Sequence, residues 1–338
     1  MSATIIDVAN AAGVSFKTVS RVLNGEAGVR DQTREKVQIA AKELNFKLNT
    51  SARNLRRRGS NLIALIISNP SRSYIDNIQI GAMEWCSRNG FHLVVEDFRA
   101  RPGGLDDMIA RGDMAGVILI PPLSDDPDMI AILVSHKIPF VRIAPESNND
   151  VAPSVTIDDR EAAREMSEKL IGLGHTRIGL ITGPNDFGVS RNRLAGYRLA
   201  LTDAGLEYDK ALAVEGAFSY ETGQSCAARL LSLLRPPTAI FASNDDMAAG
   251  AIAESYKRGI AVPGELTIVG YDDVAVASVI SPPLTTVRQP LKDMAARAAA
   301  LLLDRIRDGQ ASPKHEVMPH RIILRASHAT RREEAQKT

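Results

Sequence analysis

The 338-residue chain is long enough for two or three domains, and its 44% hydrophobic and 24% charged content is ordinary for a globular protein. That balance excludes a fibrous or unstructured chain, and two cysteines far apart in sequence, Cys86 and Cys226, exclude a disulfide framework and a cysteine-based metal cluster. The net charge of +1 hides a split: residues 1–60 hold 11 Lys/Arg against 5 Asp/Glu, a net of +6, while the rest hold 30 against 35, a net of −5.

A compact basic segment joined to an acidic body points to a nucleic-acid contact made by the small part alone, or to a solvated basic face. The opening residues, MSATIIDVANAAG, lack the basic and long apolar regions of a secretory signal. No apolar run approaches the roughly 18 to 20 residues of a membrane span. With the cysteine usage, this gives a cytoplasmic expectation and no membrane partner.

Thr4, three residues before Asp7, forms a candidate N-cap pair for a first helix carrying Ile5, Val8, Ala9 and Ala12 at helical spacing. Gly13 breaks it. Ser15 can cap a second helix with Val14, Val19, Val22 and Leu23 inward, leaving Phe16, Lys17, Ser20, Arg21 and Asn24 on the other face; Asn24-Gly25 ends it. Asp31 is expected to cap a third helix through Leu44, with Val37, Ala40, Ala41 and Leu44 inward. Helix, tight glycine turn, helix, loop, helix is the helix-turn-helix arrangement, whose second helix enters the major groove of DNA. Lys17 and Arg21 are donor-only side chains suited to the guanine acceptors, and Phe16 suits a thymine methyl. Ser15, Thr18, Ser20 and Asn24, with Thr4 at the start of the motif, suit backbone phosphates. The plainer alternative is a three-helix bundle with a wet polar face.

Residues 44–60, LNFKLNTSARNLRRRGS, allow two readings. Asn49 or Ser51 can cap a short helix over Ala52 to Arg56, with Leu55 as its one large apolar side chain, a wedge for the minor groove, and Arg53, Arg56, Arg57 and Arg58 beside phosphates. A helix so short is marginal alone, so the segment also reads as a flexible basic linker.

The stretches IIDVANAAGVSFKTVSRVLNG, TREKVQIAAKELNF and LNTSARNLR resemble the LacI/GalR (lactose-repressor) family of bacterial transcription regulators. Val14, Ser15, Thr18, Val19, Ser20, Arg21 and Val22 match the recognition-helix pattern of that family. The resemblance implies that Phe16, Lys17 and Arg21 read bases. It also implies that residues 49–57 form a hinge helix, with Ala52, Arg53, Leu55 and Arg56 at the minor groove and Asn49 on the backbone.

From residue 61 the pattern becomes short apolar runs, LIALII, LVV, GVILI and IPFVRI, alternating with helical stretches such as 74–88 and 128–136, which reads as a buried parallel sheet. After Asp158 the alternation repeats. It gives a helix to about Leu173, RIGLIT, helices near 190–204 and 221–234, TAIFAS, a helix near 245–258 and LTIVGYDD. A long helix at 290–308 and short strands near 314–318 and 321–325 follow. Two half-units imply two similar α/β lobes. The resemblance implies a periplasmic-binding-protein-like body behind an all-α helix-turn-helix domain, with three crossings between lobes. The expected divisions are 1–48 for DNA binding and 49–60 for the hinge. The lobes are then 61–159 with 288–318, and 160–287 with 319–328. The tail, 329–338, is too polar to fold alone and lacks the leucine heptads of a tetramerising coil, so a homodimer is expected.

Ligands of open parallel sheets bind beyond the C-terminal ends of the strands. That rule selects Asn69, Pro70 and Tyr74 after LIALIIS, Gly183, Pro184 and Arg193 after RIGLIT, Asn244 and Asp245 after AIFAS, and Tyr271, Asp272 and Asp273 after LTIVG, an arginine, an asparagine and two aspartates expected to converge on one cleft. Donors and acceptors together suit a polyhydroxylated ligand, and Phe218 or Tyr74 can stack on a sugar face. By resemblance, Arg193, Asn244 and Asp272 fall on effector positions, and Phe218 where an aromatic lines the pocket. Structural alternatives stand beside these: Asn244-Asp245 and Asp272-Asp273 as helix caps, and Arg193 as a surface ion pair. His175, in GLGHTRIG, reads as structural, with Gly172 or Gly174 ending the preceding helix. The resemblance further implies an acid after IPFVRI, where this chain has Ala144 and Pro145; Asp97 or Glu146 can replace it, or the effector differs. Arg72 and Tyr74 are expected near the pocket mouth.

The expected function is therefore a sequence-specific transcription regulator, most simply a repressor, controlled by a small effector. A carbohydrate is the first reading; a nucleobase or other non-sugar corepressor is the alternative. A solute-binding protein suits the body but not the helix-turn-helix. No G-x-S-x-G, H-E-x-x-H, Walker A or G-x-G-x-x-G run supports an enzyme, and no cofactor or metal is expected. The partners are a near-palindromic operator, since a two-fold dimer reads two equal half-sites, and the effector.

Overall fold

The computed structural model describes residues 5–23, 29–44, 60–99, 104–111, 114–146, 150–308 and 314–331. The chain divides into two compact units, residues 1–59 and 60–338.

The first unit holds α1 (Ile5–Ala12), α2 (Phe16–Leu23) and α3 (Asp31–Glu43). Val8, Ala9, Val19, Val22, Val37 and Ala40 form its core, with Ala12, Val14, Val29 and Ala41 packed around them. Gly13 turns the chain between α1 and α2 with φ of +62°, a left-handed backbone that costs glycine little. Ser15 Oγ accepts the Thr18 amide at 3.1 Å and so caps α2. Two expectations fail here. Asp31 is the first residue of α3, and the cap position belongs to Arg30, without a side-chain cap bond; the aspartate acts on the helix dipole instead. Leu44 is 37% exposed, because α3 has already ended at Glu43.

The body is built on two six-stranded sheets. Strands β1 (Leu62–Ile67), β2 (His92–Asp97), β3 (Gly116–Leu119), β4 (Phe140–Ile143), β5 (Ser154–Thr156) and β11 (His315–Val317) form the first, in the order β11-β5-β4-β3-β1-β2. Its pairings are all parallel. The second contains β6 (Ile178–Thr182), β7 (Ala213–Glu215), β8 (Ala239–Ala242), β9 (Thr267–Asp272), β10 (Thr285–Arg288) and β12 (Arg321–Ile323), ordered β12-β10-β9-β8-β6-β7. Only β12 runs antiparallel. The chain thus passes from the first sheet to the second after β5, returns for β11 and crosses again for β12. Strand β10 carries the second sheet to Arg288, one residue beyond the expected junction.

Parallel strands covered on both faces explain runs such as LIALII, buried from Ile63 to Ile67. The covering helices are α4 (Arg72–Arg88), α5 (Gly104–Arg111), α6 (Pro127–Ser135), α7 (Asp159–Gly172), α8 (Gly188–Asp203), α9 (Tyr220–Leu231), α10 (Asp245–Lys257), the short α11 (Ala275–Val279) and α12 (Leu291–Asp308). Side chains cap several of them: Ser71 on α4, Asp126 on α6, Asp158 on α7 and Ser219 on α9. Buried His175 joins Thr238 and the Ala329 carbonyl and is structural, as expected. The tail is ordered further than expected: Ala329 N–H donates to Thr267 Oγ1 and Arg331 N–H to the Leu173 carbonyl, so 329–331 pack on the second lobe. Among the described residues, no helix is long and apolar enough to cross a membrane.

Candidate functional site

On α2, burial of Val19 and Val22 sends the residues one helical step away outward. Phe16 and Lys17 are exposed, and Ser20 and Arg21 half-buried beside them. Phe16 is 37% exposed, outside the Val8–Ala40 core. Ser15 and Thr18 hydroxyls lie 2.9 Å apart, so both take part in starting the helix. Thr4, Asn24, Asn49, Ala52, Arg53, Leu55 and Arg56 lie outside the described residues.

In the body, a cleft of about 340 Å³ opens between the lobes. Asn69, Tyr74, Arg193, Asn244 and Asp272, selected from strand ends, and Phe218, selected by resemblance, line it. Asp245, Tyr271 and Asp273 do not: Asp273 pairs instead with Arg288 and Arg325. Ser71, Pro121, Ala144, Val189 and Gln289 complete the lining and were not selected. Gln289 was the findable one, since it follows strand β10, but a lone glutamine after a strand carries no sequence signal.

Arg193, only 4% exposed, donates from Nε to Asp159 Oδ1 at 2.7 Å and from Nη1 to the Ser243 carbonyl at 2.5 Å. Its guanidinium lies 3.7 Å from the centre of the Tyr271 ring. Burial works against its charge, but Asp159, Tyr271 and Asp272 outweigh that and hold it protonated. The surface ion-pair alternative therefore fails: the pair exists, but it is buried. Asp159 was missed because it reads as one more acid at a helix start. Tyr271 OH also donates to Asp159 Oδ1, at 2.8 Å.

Asp272 sits at the end of β9 with φ of +108°. Burial pushes its carboxyl up to about 7, against the pull of Arg193 and of the Gln289 Nε2 donor at 2.7 Å. It caps nothing: α11 has Val274 at its cap position, and Asp245 Oδ2 accepts that residue's amide. Asn244 does two jobs. Its Oδ1 caps α10 through the Met247 amide at 2.9 Å, and its Nδ2 holds the Phe218 carbonyl at 3.0 Å while it faces the cleft.

Phe218 occupies a left-handed backbone at φ +57°. Its ring lies across Gly183, where any Cβ would sit 2.0 Å from the ring tip. Phe187 meets the same ring edge-on at 5.3 Å. Tyr74 is 7% exposed and its hydroxyl has no partner. Burial first, then Asp272 and Asp159, keep that hydroxyl protonated.

Neither proposed replacement for the acid at 144 reaches the cleft. Asp97 accepts the Arg99 amide at the far edge of the first sheet. The Glu146 carboxylate pairs with Arg191 of the other lobe. Arg72 is exposed and is not part of the lining. Among the described residues no group of acids, histidines and cysteines is arranged to hold a metal ion.

Residues 4–49 match the model of bacterial regulatory proteins of the lacI family, and residues 167–328 match the periplasmic binding protein-like domain. The HTH-type transcriptional regulator DegA of Bacillus subtilis is 33% identical over 332 residues, covering 97% of this chain and 98% of its own. The solved complex of the transcriptional regulator CelR with cellobiose superposes with a TM-score of 0.73 at 33% identity, over 96% of this chain and 99% of that one. The lac repressor dimer, bound to operator and the anti-inducer ONPF, gives 0.79 at 30% identity, over 97% and 100%. The lacI-family match spans the helix-turn-helix unit of this chain, and the periplasmic binding protein-like match lies within its body. The chain belongs to the LacI family of bacterial transcriptional regulators.

Proposed function

We propose that this regulator is a cytoplasmic homodimeric repressor that binds a near-palindromic operator and answers to a carbohydrate. The lobes are taken as 61–159 with 289–318, and 160–288 with 319–331. The observation that carries the effector class is the meeting of Arg193, Asp272, Asn244 and Gln289 in one cleft with an aromatic ring, Phe218, beside them. A fixed cation donates to hydroxyl oxygens, a carboxylate accepts from hydroxyl hydrogens, and the ring covers the C–H face of a sugar. The CelR complex with cellobiose supports the same class.

Phe16, Lys17 and Arg21 read bases in this proposal, and Thr4, Ser15, Thr18, Ser20, Asn24 and Asn49 position the backbone. Ala52, Arg53, Leu55 and Arg56 form the minor-groove element. Effector binding and operator binding are linked, so each changes the affinity of the other by the same factor. The operator-bound lac repressor dimer is the precedent for DNA and dimer alike.

The test is thermal unfolding against a panel of mono- and disaccharides, sugar acids and nucleobases, since a ligand of the native state alone raises the midpoint. A sugar that raises it for the native sequence and not for Asp272→Asn supports the reading. A nucleobase alone raising it would replace the carbohydrate by a non-sugar effector.

A further inference from the structure

The two walls of the cleft differ in chemistry. The second lobe brings the charged groups, Arg193 and Asp272. The first lobe brings none. Its polar lining groups are already committed: Asn69 accepts the Ser71 amide at 2.9 Å and donates to the Pro121 carbonyl at 3.2 Å. Ser71 Oγ accepts the Tyr74 amide at 3.3 Å and donates to Asp246 at 3.1 Å. The Ala144 amide is spent on the Val155 carbonyl at 2.8 Å. What is left is the methyl of Ala144, the ring of Pro121 and the Tyr74 hydroxyl, buried and without a partner.

A buried hydroxyl with no partner is rare and costly, and a ligand atom is the natural partner for one that lines a cleft. Ala144 is informative for a second reason. Its backbone has φ of +47°, a left-handed conformation that aspartate and asparagine adopt more readily than alanine. Local backbone preference therefore does not account for alanine there; the absence of a polar group does.

Resting on the carbohydrate reading above, we propose that Ala144 and Tyr74 make this cleft selective for a sugar with one polar and one apolar edge. The polar edge is a pair of adjacent hydroxyls held by Arg193 and Asp272. The apolar edge is an alkyl or aryl aglycone, or a deoxygenated ring position, laid on Ala144 and Pro121, and the Tyr74 hydroxyl, close enough to feel the Asp272 and Asp159 charges, makes one hydrogen bond where the two edges meet. A free hexose would bury a hydroxyl against Ala144 with nothing to pair it, and an unpaired buried hydroxyl weakens binding.

The experiment is titration calorimetry on the full chain with matched series: glucose, galactose, mannose and ribose, each against its methyl and phenyl glycosides and a deoxy analogue. In the series that binds, the substituted member should bind at least about tenfold tighter than the parent, the order of one burial-matched group. A parent sugar that binds as tightly as its substituted forms overturns the proposal and leaves the carbohydrate reading standing. No carbohydrate binding at all overturns both.

Two variants add independent readouts. Ala144→Asp should move the preference about tenfold toward the parent sugar; Ala144→Ser serves the same purpose if the aspartate variant does not fold. An unchanged preference in the folded variant removes Ala144 from the account. Tyr74→Phe should raise the ligand-free unfolding midpoint, since it deletes the unpaired group, while weakening the best ligand about fivefold. Unchanged affinity in that variant would mean that the ligand does not meet the hydroxyl.

Discussion

Arg193 and Asp159 show how a cleft residue is held in place. Two of the arginine's donors are spent on Asp159 and the Ser243 carbonyl, which fixes the guanidinium over Tyr271 and leaves Nη2 without a partner among the described residues. Removing the arginine strands a buried carboxylate. Arg193→Ala should therefore destabilise the body by about 3–5 kcal/mol, and adding Asp159→Asn should recover part of that loss. Denaturant unfolding of the two variants checks it; equal stability of Arg193→Ala and native sequence would mean that Asp159 does not depend on its partner.

Asp272, beside the likewise raised Asp245, contributes to the pH response. Its folded value of about 7 lies above the unfolded one of about 3.9, so its contribution to stability is fully present below about pH 4 and is lost as pH rises toward 7. A ligand that donates hydroxyls to this carboxylate selects the ionised form. Affinity should then rise by up to about tenfold per pH unit below 7 and level off above it. Calorimetric titration across that range checks the sign, and tighter binding at acid pH would mean that the ligand takes the protonated acid.

At the scale of elements, α2 keeps its core side and its outer side separate. Val19 and Val22 anchor it against α1 and α3, while Phe16, Lys17, Ser20 and Arg21, the proposed base- and phosphate-facing residues, lie on the other side. Arg21→Ala should weaken operator binding by about 1–3 kcal/mol and relax base preference at one position. Gel-shift or anisotropy titration on operator and random DNA measures both, and an equal loss on the two would assign Arg21 to phosphate. The helix-turn-helix was legible because each helix is short, bounded by Gly13 or Asn24-Gly25, and amphipathic in a local pattern. In the body, long helices were located within a few residues. Of the three-residue strands, β11 and β12 were located while β5 and β7 escaped.

Across the body, two contacts clasp the lobes beside the cleft. Ser71 and Ser73 of the first lobe donate to Asp246 of the second, each at 3.1 Å, and Glu146 of the first pairs with Arg191 of the second. Burial raises the Asp246 carboxyl and the two serines draw it back, which marks it as the more sheltered contact. The Glu146–Arg191 pair is more than a third exposed on both sides, so its worth is at most about 1 kcal/mol. Asp246→Ala should accordingly open the ligand-free lobes more than Glu146→Ala does: more than about tenfold in the open-to-closed ratio against fivefold or less. Small-angle scattering of the ligand-free variants ranks them, and the reverse order would shift the main clasp to Glu146.

The sequence by itself determined the class of the chain. It marked the basic helix-turn-helix, the two repeats of alternating strand and helix, and the strand ends at which cleft residues stand, because periodicity, turn residues and charge act over neighbours in the chain. It also selected five strand-end side chains, and by resemblance Phe218, that meet in one cleft, since the strands of both sheets end toward it. Tertiary structure decided what each group has left to offer. Only packing shows that Glu146 turns away to Arg191, that Asp159 claims Arg193, that Asn69 and Ser71 are already paired, and that the Tyr74 hydroxyl is not. Those outcomes depend on partners up to 175 residues apart in the chain, a separation over which local sequence carries no signal.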